Sequence, residues 1–458
     1  MRSQWFCTVQ QRAFLLAALC LSVAAMTRAG NDLFAPGAEA DGPSTDAAIS
    51  ADGRYVAFAS EATNLVPGDG NGMQDIFVRD RVTGETRRVS VGPGGAEADG
   101  FSEWPAISAD GRFVAFQSAA ANLVPSDTNL DSDVFVHDRQ TGETERVSVA
   151  ADEAQAAGGS YEPALSADGR FVAFASTAGN LTGDDDNPGI DIFVRDRQGG
   201  QTQLVSLSSA ERQSFGDAQR PALSADGRYV AFSSWAAGLV PDDDNEVEDV
   251  FVRDRQAGTT TRVSVRSNGA EASAESYEPS LSADGRYVAF WSYDGGLAAP
   301  DGPWSAVYVH DRQTGATTLI SRAADGGEPD SGSTRPRLSA DGRTVVFESE
   351  ASNLLPGADD NAASDVFAFD RQTGTMTRLS VGAGGAANGE SRGASISGDG
   401  HYAAFTSRAN NLVAGDENGV PDVFARDRLG ERTERVSLAS AVAPRPAGLV
   451  YLAHIARQ

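Results

Sequence analysis

"PALSADGRYVAF" (residues 221–232) and "DVFVRDRQAG" (residues 249–258) together decide how this chain folds. Asp226-Gly227 is turn chemistry, because glycine accepts the positive φ that a tight reversal needs. Short β-prone runs, "PALS" and "YVAF", flank it. The tetrad "SADG" recurs with its acid at Asp52, Asp110, Asp168, Asp226, Asp284 and Asp341, and "SGDG" adds Asp399. The steps between them are 58, 58, 58, 58, 57 and 58 residues. The second motif follows each copy and ends in Asp80-Arg81, Asp138-Arg139, Asp196-Arg197, Asp254-Arg255, Asp311-Arg312, Asp370-Arg371 and Asp427-Arg428. So constant a period marks stacked copies of one supersecondary unit.

Each copy reads as four strands. Strand A ends in "PALS", strand B is "YVAFAS", strand C is "DIFVRD" and strand D is "TRRVSV" in the first copy or its equivalent later. Strands B and C are apolar on both faces (Val56 and Phe58 against Tyr55 and Ala57), so both sides of every sheet must be covered. Sheets packed radially around an axis meet that demand. The expected fold is all-β: a single seven-bladed β-propeller of four-stranded antiparallel blades, about 58 residues each, over residues 30–441.

"PALSADGRYVAF…DVFVRDRQTG" resembles the WD40-like repeat of TolB-type bacterial propellers, from residue 31 to about 441. The resemblance implies the propeller fold and leaves the function open, since such rings host unrelated activities. TolB's N-terminal α/β domain has no counterpart in the sequence. Nor does the hydrolase domain that prolyl oligopeptidases attach to such a ring.

Residues 1–29 read as an export signal, with Arg2 and Arg12 before and around the apolar run "AFLLAALCLSVAAM" and cleavage after Ala25 or Ala29. The expected location is secreted or periplasmic, without a stable membrane anchor, and the protein is expected to be a monomer. Both cysteines, Cys7 and Cys20, fall in the removed segment, so no thiol nucleophile or disulfide remains. All 37 basic residues are arginine, which excludes Schiff-base, P-loop and Ser-Lys mechanisms. A net charge of −27 repels nucleic acid and anionic lipid. The N-terminal "FAPGAEADG" resembles "VGPGGAEADG" at residues 91–100 and begins like the end of a truncated strand D. Residues 442–458 are apolar enough to dock as a seal over the first and last blades.

Antiparallel order puts the A–B and C–D turns on one face and the B–C and D–A loops on the other. The first face repeats almost unchanged, so its Asp and Arg read as turn chemistry and ion pairs between blades. On the second face the D–A loops vary. Asp46, Glu103, Trp104, Tyr161, Glu162, Arg220, Tyr277, Glu278, Arg335 and Arg392 stand just before strand A and ring the channel mouth, as an asymmetric ligand requires. Trp235, Trp291 and Trp304 extend an aromatic patch there.

The B–C loops carry D-x-N-x3-D: Asp69/Asn71/Asp75, Asp127/Asn129/Asp133, Asp185/Asn187/Asp191, Asp243/Asn245/Asp249, Asp359/Asn361/Asp365 and Asp416/Asn418/Asp422. Blade five breaks the pattern with Pro303 and Ala306. The motif resembles the second half of the calcium loops of integrin-type propellers, which implies candidate calcium ligands with affinity on the order of 0.1–1 mM. The first acid of that family's pattern is replaced by Pro67, Gly183 or Pro241, and turn capping by Asp and Asn is the preferred reading. No cofactor other than calcium is expected.

His137 and His310 share a repeat slot that four other blades fill with Arg79, Arg195, Arg253 and Arg426, so a three-His metal cage is not supported. No nucleophile stands out. The expected function is an exported, non-enzymatic propeller that binds a protein, peptide or glycan at the D–A/B–C face. The alternatives are a polysaccharide hydrolase or lyase using acids of the mouth such as Glu103 and Glu162, and a calcium-stabilised structural module.

Overall fold

The computed structural model describes residues 37–298, 302, 304–357 and 361–441; the segment read as an export signal and the 442–458 tail lie outside them. Seven four-stranded antiparallel sheets follow one another. In blade 1 strands A to D are Ser44–Ile49, Tyr55–Ser60, Asp75–Asp80 and Glu85–Arg88. The other six blades repeat this pattern from Ser102, Ser160, Ala218, Ser276, Ser333 and Ser391. Strand D has four residues, fewer than the sequence suggests, and "VS" continues as extended chain with Val89 N donating to Ile76 O.

Strand A is innermost: the A strands of neighbouring blades touch all the way round, and those of blades 7 and 1 are adjacent. Each interface holds its own core. Phe58 and Phe77 of blade 1 stack at 5.9 Å and pack with Val56 on Ala404, Val423 and Ala425 of blade 7. The opposite face of blade 1, Ala57, Ala59, Ile76 and Val78, receives Phe116 and Phe135 of blade 2. A bulky face meets a small one at every junction. This complementarity is why strands B and C must be apolar on both sides.

Among the described residues the ring closes without a borrowed strand. Around the A–B side, each turn bonds to the next: Ala51 N to Ala109 O, and onward through Ala167, Ala225, Ala283, Ala340 and Gly398, whose N–H donates back to Ala51 O. At the seam the N-terminal segment lies against the end of blade 7, with Ala439 N donating to Ala38 O and Ser44 N to Pro421 O. Arg435 pairs there with Glu39. Residues 37–40 thus stand where the stretch after strand D stands between other blades, as the "AEADG" similarity anticipates.

The repeated face is structural, with one correction. The "SADGR" arginine does not bridge blades. Arg54 grips Asp80 of its own blade with two bonds, at 3.1 and 2.7 Å, and His401 replaces it in blade 7, 2.8 Å from Asp427. The contact between blades is made by the second arginine: Arg139 lies over the ring of Tyr55 at 4.2 Å, and Arg197 over Phe113 at 4.5 Å. Ion pairs such as Arg81–Glu434 (2.7 Å) add to it at some junctions.

Candidate functional site

A bulge near the start of strand A shapes the opposite face. The A–B register slips in all seven blades, between Thr45 and Ala48 in the first. At the slip the backbone turns left-handed: Asp46, Trp104, Glu162, Arg220, Glu278 and Arg335 have φ between 50° and 56°, and Gly393 has 64°. Proline follows in blades 2 to 6; it lacks an N–H, so the interrupted ladder leaves no donor unpaired there. Holding a non-glycine residue in this region costs on the order of 1–3 kcal/mol, and such strain gathers at ligand sites. Six of the mouth residues picked from sequence are these strained residues. Glu103, Tyr161, Tyr277 and Arg392 take the position just before. All ten lie inside strand A rather than just before it, and in blade 7 Arg392 corresponds to Thr45 and Gly393 to Asp46.

The mouth is tied together across blades. Gln117 Oε1 of blade 2 accepts from Glu162 N (2.9 Å) while its Nε2 donates to Glu103 (2.8 Å). Glu162 Oε2 accepts from Arg220 N at 2.7 Å. The Arg220 guanidinium pairs with Glu278, which Arg335 also approaches at 3.9 Å. Glu348 Oε1 accepts from Gly393 N, and its Oε2 lies 3.5 Å from Arg335. Gln117 and Glu348 escape a reading of the A strands, and Trp291, which the sequence singles out, shares their position. They occupy the penultimate position of strand B, which varies between copies while the Phe before it and the Ser after it do not.

Charge is divided around the opening. Asp46, Glu103 and Glu162 come from blades 1 to 3, whereas Arg220, Arg335 and Arg392, from blades 4, 6 and 7, share their arc with Glu278 and Glu348. Burial pushes the carboxyls of Asp46, Glu103, Glu162 and Glu348 above their ordinary range, and the Asp46 charge adds to the effect on Glu103. In blade 5 Tyr277 packs on Trp291 with centroids 4.6 Å apart and edge-on to Tyr293. Trp104, Trp235, Tyr293 and Trp304 are all more than 40% exposed.

In the D-x-N-x3-D loops an arginine stands among the acids. Arg88 Nη1, from the end of strand D, lies 3.1 Å from Asp69, 3.2 Å from Asp75 and 2.8 Å from Glu97. Arg262 repeats this with Asp243, Asp249 and Glu271 at 3.0, 3.2 and 2.8 Å. Arg146 meets Asp127 and Asp133, Arg378 meets Asp365, and Arg435 meets Asp416 and Asp422. The asparagines brace the turn: Asn71, Asn129, Asn245 and Asn418 donate to the second acid, and Asn187 and Asn361 to a backbone carbonyl of the following D–A loop. Blade 3 has Leu204 instead of the arginine, and Gln213 Nε2 bridges Asp185 (2.9 Å) and Asp191 (3.2 Å). Asp359 lies outside the described residues. Among those described, no three His, Cys, Asp or Glu side chains converge as a metal shell. A calcium ion in these loops would have to displace a guanidinium or, in blade 3, an amide.

His137 and His310 sit in strand C, away from the mouth, bonded to Thr144 (3.0 Å) and Thr317 (2.9 Å). Burial drives the pKa of each down to about 4. A depressed histidine contributes stability that is full above its unfolded pKa, near 6.5, and is lost as pH falls toward 4. Each therefore accounts for up to about 3 kcal/mol of acid sensitivity. Arginine fits this slot in other blades with the same threonine partner, as in Arg195–Thr202. A His137→Arg/His310→Arg protein is expected to lose several kcal/mol less than the parent between pH 7.5 and 4.5 in urea denaturation. Equal losses would show that these imidazoles do not carry the acid response.

No family model matches the chain, and no curated protein matches it significantly. Solved structures do. The β-propeller domain of the trilobed protease from Pyrococcus furiosus, described as having an open velcro topology, aligns with TM-score 0.54 and 12% identity over 89% of this chain and 98% of that one. Acylaminoacyl peptidase from Pyrococcus horikoshii gives TM-score 0.51 and 13% identity over 87% of this chain and 53% of that one. TolB from Acinetobacter baumannii is 16% identical over 74% of this chain, with TM-score 0.41, and the alignment spans 63% of its length. Among the described residues no helix is long and apolar enough to cross a membrane. What the first two likenesses show is the fold alone, a β-propeller.

Proposed function

We propose that the protein is an exported binding propeller whose ligand, a protein, peptide or glycan, docks on the face made by the D–A and B–C loops. One observation carries this reading. The exposed large apolar side chains among the described residues are Met73, Phe101, Trp104, Leu130, Phe215, Trp235, Tyr293 and Trp304 on this face, against Val82 and Leu429 on the other. Every exposed aromatic in that set is on one side. Aromatics held in water cost free energy that an interface recovers, and Trp and Tyr dominate binding hot spots. The strained mouth residues at the centre of the same face support the assignment, and so does the export signal read from the sequence.

The test is a screen of the exported protein on glycan and peptide arrays, repeated with Trp104→Ala, Trp235→Ala and Tyr293→Ala combined. The expected result is a hit whose affinity falls at least about tenfold in the variant, given that one hot-spot aromatic is worth about 2 kcal/mol or more. Undiminished binding would move the site elsewhere. The raised carboxyls of Glu103 and Glu162 favour a second reading, a polysaccharide hydrolase or lyase. Turnover of chromogenic sugars that vanishes in Glu103→Gln or Glu162→Gln would establish it instead.

A further inference from the structure

Strand A of blade 6 departs from the other six at one position. The residue paired with the third position of strand B is alanine in blades 1 to 4 and serine in blades 5 and 7, but Arg337, opposite Val346, in blade 6. Small residues suit the crowded inner edge of a blade. An arginine there extends a long cationic side chain beside the axis, below the mouth.

Arg337 is half-buried, and its Nη1 donates to the Pro336 carbonyl at 2.9 Å. Among the described residues no carboxylate forms an ion pair with it. The nearby acid, Glu348, is already engaged with Gly393 N–H and Arg335. The charges that act on Arg337 are Glu348, in its favour, and Arg335 and Arg220, against it. Desolvation draws its pKa down, yet a guanidinium does not give up its proton near neutral pH. Arg392, 42% exposed, pairs among the described residues with Glu390 alone, at 3.4 Å, and adds a further cation to the same arc. Buried charges are otherwise paired, and guanidinium groups bind oxyanions through parallel N–H donors.

We propose that Arg337, with Arg335 and Arg392 above it, forms an oxyanion-binding site on the blade 6–7 arc of the channel, which receives a carboxylate or phosphate group of the ligand. The proposal rests on the reading of the mouth as the binding site. It also specifies the ligand's chemistry: the group that enters the channel is anionic, although the protein as a whole is strongly acidic.

Arg337→Ala restores the residue found at this position in blades 1 to 4, so the variant is expected to fold. Thermal melting is followed at matched ionic strength in chloride, acetate, citrate and inorganic phosphate, for the parent, Arg337→Ala and the triple aromatic variant. The expected result has opposite signs. In chloride Arg337→Ala melts higher than the parent, because an unpaired charge is gone. Citrate or phosphate raises the melting temperature of the parent and of the aromatic variant but not of Arg337→Ala. A larger effect of citrate and acetate identifies a carboxylate, and a larger effect of phosphate a phosphoryl group. If the oxyanions stabilise the parent and Arg337→Ala equally, or neither, the proposal is overturned. Loss of array binding in the aromatic variant still upholds the docking face in that case, so the two ideas fail separately.

Discussion

Arg262→Leu is expected to destabilise the protein by about 3–5 kcal/mol at pH 8 in urea denaturation, the usual consequence of removing one partner from a buried charge cluster. The Arg262 side chain is 8% exposed and those of Asp243 and Asp249 are 4% and 0%. Without the guanidinium two or three carboxylates face each other with little water. Burial already pushes Asp243 up to about 6, against the pull of Arg262. A carboxyl whose folded pKa is raised costs stability as pH climbs through that value, so the loss should shrink at pH 5, where protonation relieves the repulsion. Blade 3 indicates the remedy. It pairs Leu204 with Gln213 where blade 4 pairs Arg262 with Glu271, and the amide supplies the donors. Arg262→Leu/Glu271→Gln should therefore recover much of the loss. A single variant as stable at pH 8 as the parent would show that the loops need no cation.

Gly169→Ala is expected to cost about 2–5 kcal/mol. At φ +69° an alanine bears left-handed strain of about 1–2 kcal/mol, and its Cβ would fall 2.4 Å from the Phe113 ring of the preceding blade. The ring has no room to yield, because Arg112 covers it at 4.6 Å and Arg197 at 4.5 Å. Overpacking adds about 1–3 kcal/mol. Gly400→Ala is the control: φ is +70°, but the neighbour is Thr344 Oγ1 at 2.9 Å, a small side chain. It should lose only the strain. Equal losses in the two variants would mean that the aromatic does not enforce glycine at these turns.

These two sites differ in how far the sequence exposes them. Every "SADG" carries its glycine, so a positive φ could be inferred, but not the ring pressed against it, which belongs to the previous copy. The acidic loops were legible as oxygen-rich turns, and the arginine among them was not, since Arg262 lies on another strand, beyond a further turn. Comparison between copies held the clue. Blade 5 lacks both the arginine, replaced by Leu319, and the second acid, replaced by Ala306.

By itself the sequence determined the number of blades, the four strands in each, their burial on both faces and which loops share a side. All of these follow from local periodicity and from a repeat that each copy satisfies in the same way. Only the tertiary structure decided the left-handed turn in strand A, the belt from Gln117 to Gly393, the closed circle of backbone bonds and the isolation of Arg337. Those depend on what one blade presents to the next, and residues such as Arg435 and Glu39 meet only because the ring brings the two ends of the chain together.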